Sequence, residues 1–131
     1  MKKIILSLIM SFSFFGLFGQ TNDFKSVDVE EFAKIIKGRK VTVLDVRLPQ
    51  EYEEGYIPGT DFNIDVLEDN FKEVALAKLP KKKPVALYCR SGNRSKTAAR
   101  ILAENGYEVI ELGTGFRAWE AAGKEIAYPK K

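Results

Sequence analysis

The sequence lacks histidine altogether and contains a single cysteine, Cys89, among its 131 residues. Histidine is the commonest metal ligand and the commonest general base, so its absence removes the usual source of both functions. A lone cysteine excludes an internal disulfide and, without histidine, a structural zinc site. The composition therefore predicts no metal and no cofactor, and chemistry at Cys89 must proceed without a histidine base.

The chain also has little net charge, no internal repeat and no low-complexity tract. Its 21 Lys and Arg residues nearly balance its 18 Asp and Glu residues, which gives no support to nucleic-acid binding. The length suits one domain, and a composition that is 45% hydrophobic and 30% charged is typical of a soluble globular protein with a packed core.

The longest apolar run lies at the N-terminus and is short for a membrane span. Residues 1–3 are basic at Lys2 and Lys3, residues 4–18 are almost wholly apolar, and polar residues follow Gly19. This order is typical of a secretory signal peptide, whereas a retained anchor would have to cross a bilayer of ~30 Å. We therefore expect residues 1–19 to be cleaved. The mature protein would then be exported to the periplasm of a bacterium or secreted, without stable membrane association.

Short apolar runs alternate with amphipathic segments over the rest of the chain, the pattern of an α/β domain with a mainly parallel sheet. Strands are predicted at residues 41–44, 62–64, 85–88 and 109–112. Helices are predicted from residue 28 to about 36 and at residues 50–54, 70–79, 95–104 and 116–121. The pattern indicates a single domain over residues 24–127.

Cys89 falls between the predicted strand at 85–88 and the helix that follows. A helix N-terminus offers unpaired N–H groups and the positive end of its dipole, and both favour a thiolate. Arg90 and Arg94 add positive charge, and Gly92 permits a tight turn whose N–H groups can bind an anion. Ser95 is predicted to cap the helix. Apolar burial does not call for flanking arginines, so we expect a partly exposed nucleophile in an anion-binding loop.

A second polar segment, residues 45–47, follows the predicted strand at 41–44. Ligands of open α/β sheets bind at the carboxyl ends of the strands. We therefore expect this segment, which contains Arg47, and the Cys89 loop to face one pocket.

Residues 89–95 closely resemble the active-site loop of rhodanese-like sulfurtransferases, and the resemblance extends from about Phe24 to Ala127. Further matching segments occur in the same order, at residues 44–47, 51–52, 55–59, 63–64 and 113–116, with Trp119 and Gly123. The chain departs from the family at Tyr56, where histidine is usual, at Thr60, where alanine is usual, and at Thr114, where a second glycine is common. The resemblance implies a three-layer α/β domain whose mainly parallel sheet is flanked by helices on both faces.

The resemblance also implies a reaction. A sulfane sulfur would pass from thiosulfate or a similar anionic donor, through a persulfide on the nucleophile Cys89, to cyanide, a small thiol or a protein thiol. Arg94 would either contact the anion or pair with an acid, and Arg47 would either reach the pocket or pair with Glu51 or another acid. The implied substrate-binding residues are Arg90, Ser91, Gly92, Asn93, Arg94, Ser95 and Arg47.

Three other interpretations remain open from the sequence. The same loop would serve a module that carries a persulfide for one sulfur-delivery or redox partner, and an inert interaction domain would keep only the fold. Cysteine-dependent phosphatases and arsenate reductases also place a cysteine and an arginine around an anion. In those enzymes the cysteine and the arginine are separated by one residue more than Cys89 and Arg94 are in this chain. The shorter loop of this chain suits a cysteine-bound sulfur better than a bound phosphoryl group.

Overall fold

A computed structural model describes residues 23–130, and the predicted signal peptide lies outside them. Within these residues no helix is long and apolar enough to cross a membrane. The strands of this region are β1 (Lys25–Val27), β2 (Thr42–Asp45), β3 (Phe62–Asn63), β4 (Val85–Tyr88) and β5 (Val109–Leu112). Its helices are α1 (Val29–Lys37), α2 (Pro49–Glu53), α3 (Phe71–Lys78), α4 (Asn93–Glu104) and α5 (Gly115–Ala121).

The strands of the described region form one sheet in the order β1-β5-β4-β2-β3, and every ladder in it is parallel. This confirms the predicted α/β class with a parallel sheet. The central strand is β4, which pairs with both β2 and β5. Cys89 therefore leaves the sheet at its middle, between the ends of the two neighbouring strands.

The side chains of β4 alternate between two apolar clusters, one on each face of the sheet. Val85 and Leu87 pack with residues of α3 and α4. Ala86 and Tyr88 pack with residues of α1 and α5. A parallel strand that is covered on both faces has an almost continuous apolar sequence, which explains why the sequence predicted β4 with its observed bounds.

Strand β1 was not predicted from the sequence. It pairs only with β5, at the edge of the sheet, and Lys25 and Ser26 are exposed. An edge strand buries little side-chain surface and so carries no apolar run. Its position matters nevertheless, because it places Ser26 beside Glu111 of β5.

Candidate active site

Cys89 lies directly after β4, beneath the loop that leads into α4. Its Sγ accepts the backbone N–H of Gly92 at 3.1 Å. The side chain is only 1% exposed and shares an apolar cluster with Leu87 and Ala99. The expectation of a partly exposed thiol was therefore wrong, since the loop and α4 cover it.

The helix after Cys89 begins at Asn93, two residues earlier than predicted, and Gly92 occupies the cap position. Gly92 has a φ of 99°, and a Cβ there would lie 2.2 Å from the carbonyl oxygen of Gly113. Only glycine fits such a position. Ser95 is consequently not the helix cap; it is fully buried in the first turn of α4.

The N-terminus of α5 holds the Cys89 loop from the opposite side. Phe116 and Arg117 donate their backbone N–H groups to the carbonyls of Cys89 and Arg90, at 2.8 and 3.0 Å. A Cβ on Gly115 would lie 2.3 Å from the Arg90 oxygen, so this approach also requires glycine. The loop carbonyls are thereby engaged by α5, while the first N–H groups of α4 have no intrahelical acceptor.

The departure from the family at Thr114 does not disturb this contact. Thr114 has a φ of −99°, in the right-handed region that any residue adopts. The left-handed position in this segment is the next residue, Gly115, with a φ of 77°. Glycine is therefore retained where the backbone requires it.

Arg94 forms a two-pronged ion pair with Glu51 of α2. Its Nη1 and Nη2 donate to the two carboxylate oxygens at 2.7 and 3.0 Å. The hydrogen bond between them raises the pKa of Arg94 and lowers the pKa of Glu51. Of the two roles that the sequence left open, the structure shows the ion pair, which ties α2 to the first turn of α4.

Arg47 is buried and pairs with Asp45, not with Glu51. Its Nη2 donates to Asp45 at 2.8 Å and to the carbonyl of Gly55 at 2.7 Å, and its guanidinium lies 4.3 Å from the centre of the Phe116 ring. Burial raises the pKa of Asp45, although its hydrogen bonds with Arg47 act in the opposite direction. Arg47 therefore borders the site while most of its donors are already satisfied.

A cavity of about 240 Å³ adjoins the Cys89 loop at Arg90 and does not include Cys89 itself. Among the described residues, its exposed cations Arg90 and Arg117 form no ion pair. Arg117 was not predicted from the sequence, where its only signal is that it closely follows the glycines of residues 113–116. The cavity is lined by Arg47, Glu51, Glu54, Arg90, Phe116, Arg117 and Glu120.

Glu111, a fully buried carboxylate on β5 behind the cysteine, was also not predicted as a site residue from the sequence. Glu111 accepts hydrogen bonds from Ser95 Oγ at 2.5 Å, from Lys96 Nζ at 3.0 Å and from the Ser26 hydroxyl. The same Ser95 oxygen lies 3.4 Å from Cys89 Sγ. The available signal was a lone acid within an otherwise apolar strand, which demands a buried partner.

Fold and site together define a parallel α/β domain with one cysteine at the N-terminus of a helix. Residues 28–122 match the family model of the rhodanese-like domain, and the protein belongs to this family.

Two curated relatives and one solved structure illustrate the similarity. Thiosulfate sulfurtransferase GlpE of Pseudoalteromonas translucida is 31% identical over 109 residues, covering 78% of this chain and 94% of its own. A sulfurtransferase of Allochromatium vinosum is 34% identical over 93 residues, covering 69% and 81%. A rhodanese-related protein from Thermoplasma volcanium has a TM-score of 0.71 at 28% identity, covering 81% of this chain and all of its own. These similarities support sulfurtransferase activity as the general class.

Proposed function

We propose that the protein transfers a sulfane sulfur from thiosulfate or a similar anionic donor to a thiol or cyanide, through a persulfide on Cys89. The observation that carries this proposal is the position of Cys89 Sγ, 3.1 Å from the Gly92 N–H at the start of the twelve-residue helix α4. N–H groups and a helix N-terminus stabilise an anionic sulfur at this point.

Two displacements complete the proposed cycle. The Cys89 thiolate attacks the outer sulfur of thiosulfate; the sulfur–sulfur bond of the donor breaks, sulfite leaves with the bonding electrons, and Cys89 carries a persulfide. Cyanide or a thiolate then attacks the outer persulfide sulfur and regenerates the Cys89 thiolate. Neither displacement requires a base once the thiolate exists, so the absence of histidine is compatible with the cycle.

The charges around the cavity suit an anionic donor. Arg90 and Arg117 are exposed and are free of ion pairs within the described residues. Cations at the mouth of a cleft raise the local concentration of an anion such as thiosulfate. Arg94 contributes mainly by bracing the loop through Glu51. That engagement also disfavours a phosphatase, in which a free guanidinium would hold the phosphoryl group.

The mass of the purified protein tests the covalent step. Thiosulfate should add one sulfur atom to the protein, and cyanide should remove it and yield thiocyanate. Cys89→Ser should abolish both the mass increase and thiocyanate formation. A variant that keeps most of its activity would contradict the persulfide mechanism. A persulfide that forms but resists cyanide and small thiols would favour the protein-specific delivery module instead.

We further propose that the protein is exported after cleavage near Gly19. Support comes from the basic start, the apolar run over residues 4–18 and the polar residues that follow. The protein from its native host should begin near Gln20 and be recovered outside the cytoplasm. An intact Met1 on a membrane-bound product would contradict export of a cleaved form.

A further inference from the structure

Glu111 is connected to the candidate nucleophile through a single hydroxyl group. Its carboxylate is fully buried and accepts hydrogen bonds from Ser26, Ser95 and Lys96. Three donors, one of them charged, are the environment of an ionised carboxylate. Only the Ser95 hydroxyl therefore lies between this carboxylate and the sulfur of Cys89.

The Ser95 hydroxyl has only one proton to donate, and its two neighbours compete for it. The contact with Glu111 Oε2 is 2.5 Å, whereas the contact with Cys89 Sγ is 3.4 Å. A short hydrogen bond to a charged acceptor is the stronger of the two, so the proton lies towards Glu111. The oxygen then presents a lone pair to Cys89, which favours an S–H donor and disfavours a thiolate.

We propose that Glu111 is a positioning residue that turns the Ser95 proton away from Cys89 and thereby opposes the stabilisation that the Gly92 N–H gives to a Cys89 thiolate. The thiolate forms when the S–H proton of Cys89 leaves to water, after which Sγ keeps the Gly92 N–H as its donor. A protonated thiol is less readily oxidised than a thiolate, so the arrangement protects a lone cysteine between turnovers. Only this protection between turnovers rests on the proposed function.

Three of the charged side chains around the site are held in ion pairs, whereas Arg90 and Arg117 are exposed and form no ion pair within the described residues. Arg94 is paired with Glu51, and Arg47 is paired with Asp45, whereas Lys96 is paired with Glu111 itself. Glu111 is therefore the acid linked to the sulfur, and Lys96 is the cation that moderates it. The charged groups of these elements that line the cavity or pair at the site include Arg90 in the loop, Arg94 and Lys96 on α4, Glu111 on β5, Glu51 on α2, Arg117 and Glu120 on α5, and the Asp45–Arg47 pair at the end of β2.

The rate of Cys89 alkylation by iodoacetamide, followed against pH by mass, tests this role. Glu111→Gln keeps the size of the side chain, removes its charge and weakens its hold on the Ser95 proton. The midpoint of the pH profile should move down by on the order of one unit, which corresponds to about tenfold faster alkylation on the acidic limb. Glu108→Gln, at an exposed acid just before β5, is the matched control and should leave the midpoint in place.

A change of opposite sign is expected at Lys96, whose side chain is 43% exposed. Lys96→Met leaves Glu111 uncompensated and should move the midpoint up, by less than the shift in the Glu111 variant because solvent screens this cation. Arg100→Met, at an exposed cation one turn further along α4, is the control. Because Lys96 lies at the surface, this variant tests the inference even if Glu111→Gln does not fold.

Removal of the connecting hydroxyl completes the test. In a Ser95→Ala background the effect of Glu111→Gln should fall to less than half, because only direct charge repulsion remains. The inference would be overturned if the midpoint of Glu111→Gln stayed in place or rose. It would also be overturned if the midpoint of Lys96→Met fell. Alkylation needs no sulfur donor, so a protein that takes no sulfur from thiosulfate but shows these shifts would refute the proposed function and leave this inference standing.

Discussion

Two loops meet at the carboxyl edge of the sheet, and different forces hold them in place. The loop after Cys89 is held by its backbone, through the N–H groups of α5 and close contacts at Gly92 and Gly115. The loop after β2 is held by side chains, through the pairs Arg47–Asp45 and Arg94–Glu51. The first loop is thus sensitive to volume and the second to charge, and this difference can be tested.

The largest loss of stability is expected from breaking the buried pair. Arg47→Met leaves Asp45, which is 0% exposed, as an uncompensated buried acid. Unfolding in urea should show a loss of about 3–5 kcal/mol. A double variant, Asp45→Asn with Arg47→Met, removes both charges and should recover part of it. Equal stability of the single and double variants would show that the pair is not what holds this loop.

Gly92→Ala should break the loop that is held by its backbone, at a cost of about 2–3 kcal/mol together with loss of persulfide formation. The new Cβ meets both an unfavourable φ and the Gly113 carbonyl. Gly59→Ala is the matched control, because Gly59 has a φ of 93° with nothing within 4 Å of the added carbon. If both variants lose the same stability, conformational strain alone matters and the contact with Gly113 does not.

The partly buried pair Arg94–Glu51 should contribute less than the Arg47–Asp45 pair and with a distinct pH dependence. Arg94→Met should cost about 1 kcal/mol at neutral pH, because solvent partly screens the pair. Arg94 lowers the pKa of Glu51 below its usual 4.5. The stabilisation is therefore present above that value and is lost as the pH falls through the lower pKa of the folded state.

Stability of the wild type and of Arg94→Met, measured by urea unfolding between pH 7 and pH 3, should converge at the acidic end. A constant difference over this range would show that the ionised Glu51 is not the partner that matters. Asp45 has the opposite effect, because burial raises its pKa in the folded state. Its contribution to the free energy of unfolding therefore declines as the pH rises through that raised pKa.

The smallest effect is expected from Arg94→Lys. Lysine keeps the charge but not the planar fork that contacts both oxygens of Glu51. Unfolding should show about half the loss seen in Arg94→Met. A full recovery would indicate that charge alone, without two-pronged geometry, ties α2 to α4.

The parts of the fold that the sequence predicted well are those with strong local patterns. Strands β4 and β5 were predicted with their observed bounds, because buried parallel strands are short apolar runs between turn residues. The start of α4 was misplaced, because Asn93 and Arg94 are polar and resemble the end of a loop. Strand β1 was missed, because its pairing with β5 is made by backbone groups that leave no pattern in the side chains.

The parallel α/β class, the position of Cys89 at a strand end and the glycine and arginine residues around it were determined by the sequence alone, since each depends on neighbours close along the chain. The burial of Cys89, the choice of Asp45 by Arg47 and the hydrogen bonds of Glu111 were decided by the tertiary structure. Ser26, Ser95 and Glu111 lie far apart in sequence and meet only because β1 pairs with β5 while α4 packs beside it. Residue type shows which groups can form a bond, whereas the folded backbone decides which of them come within its short range.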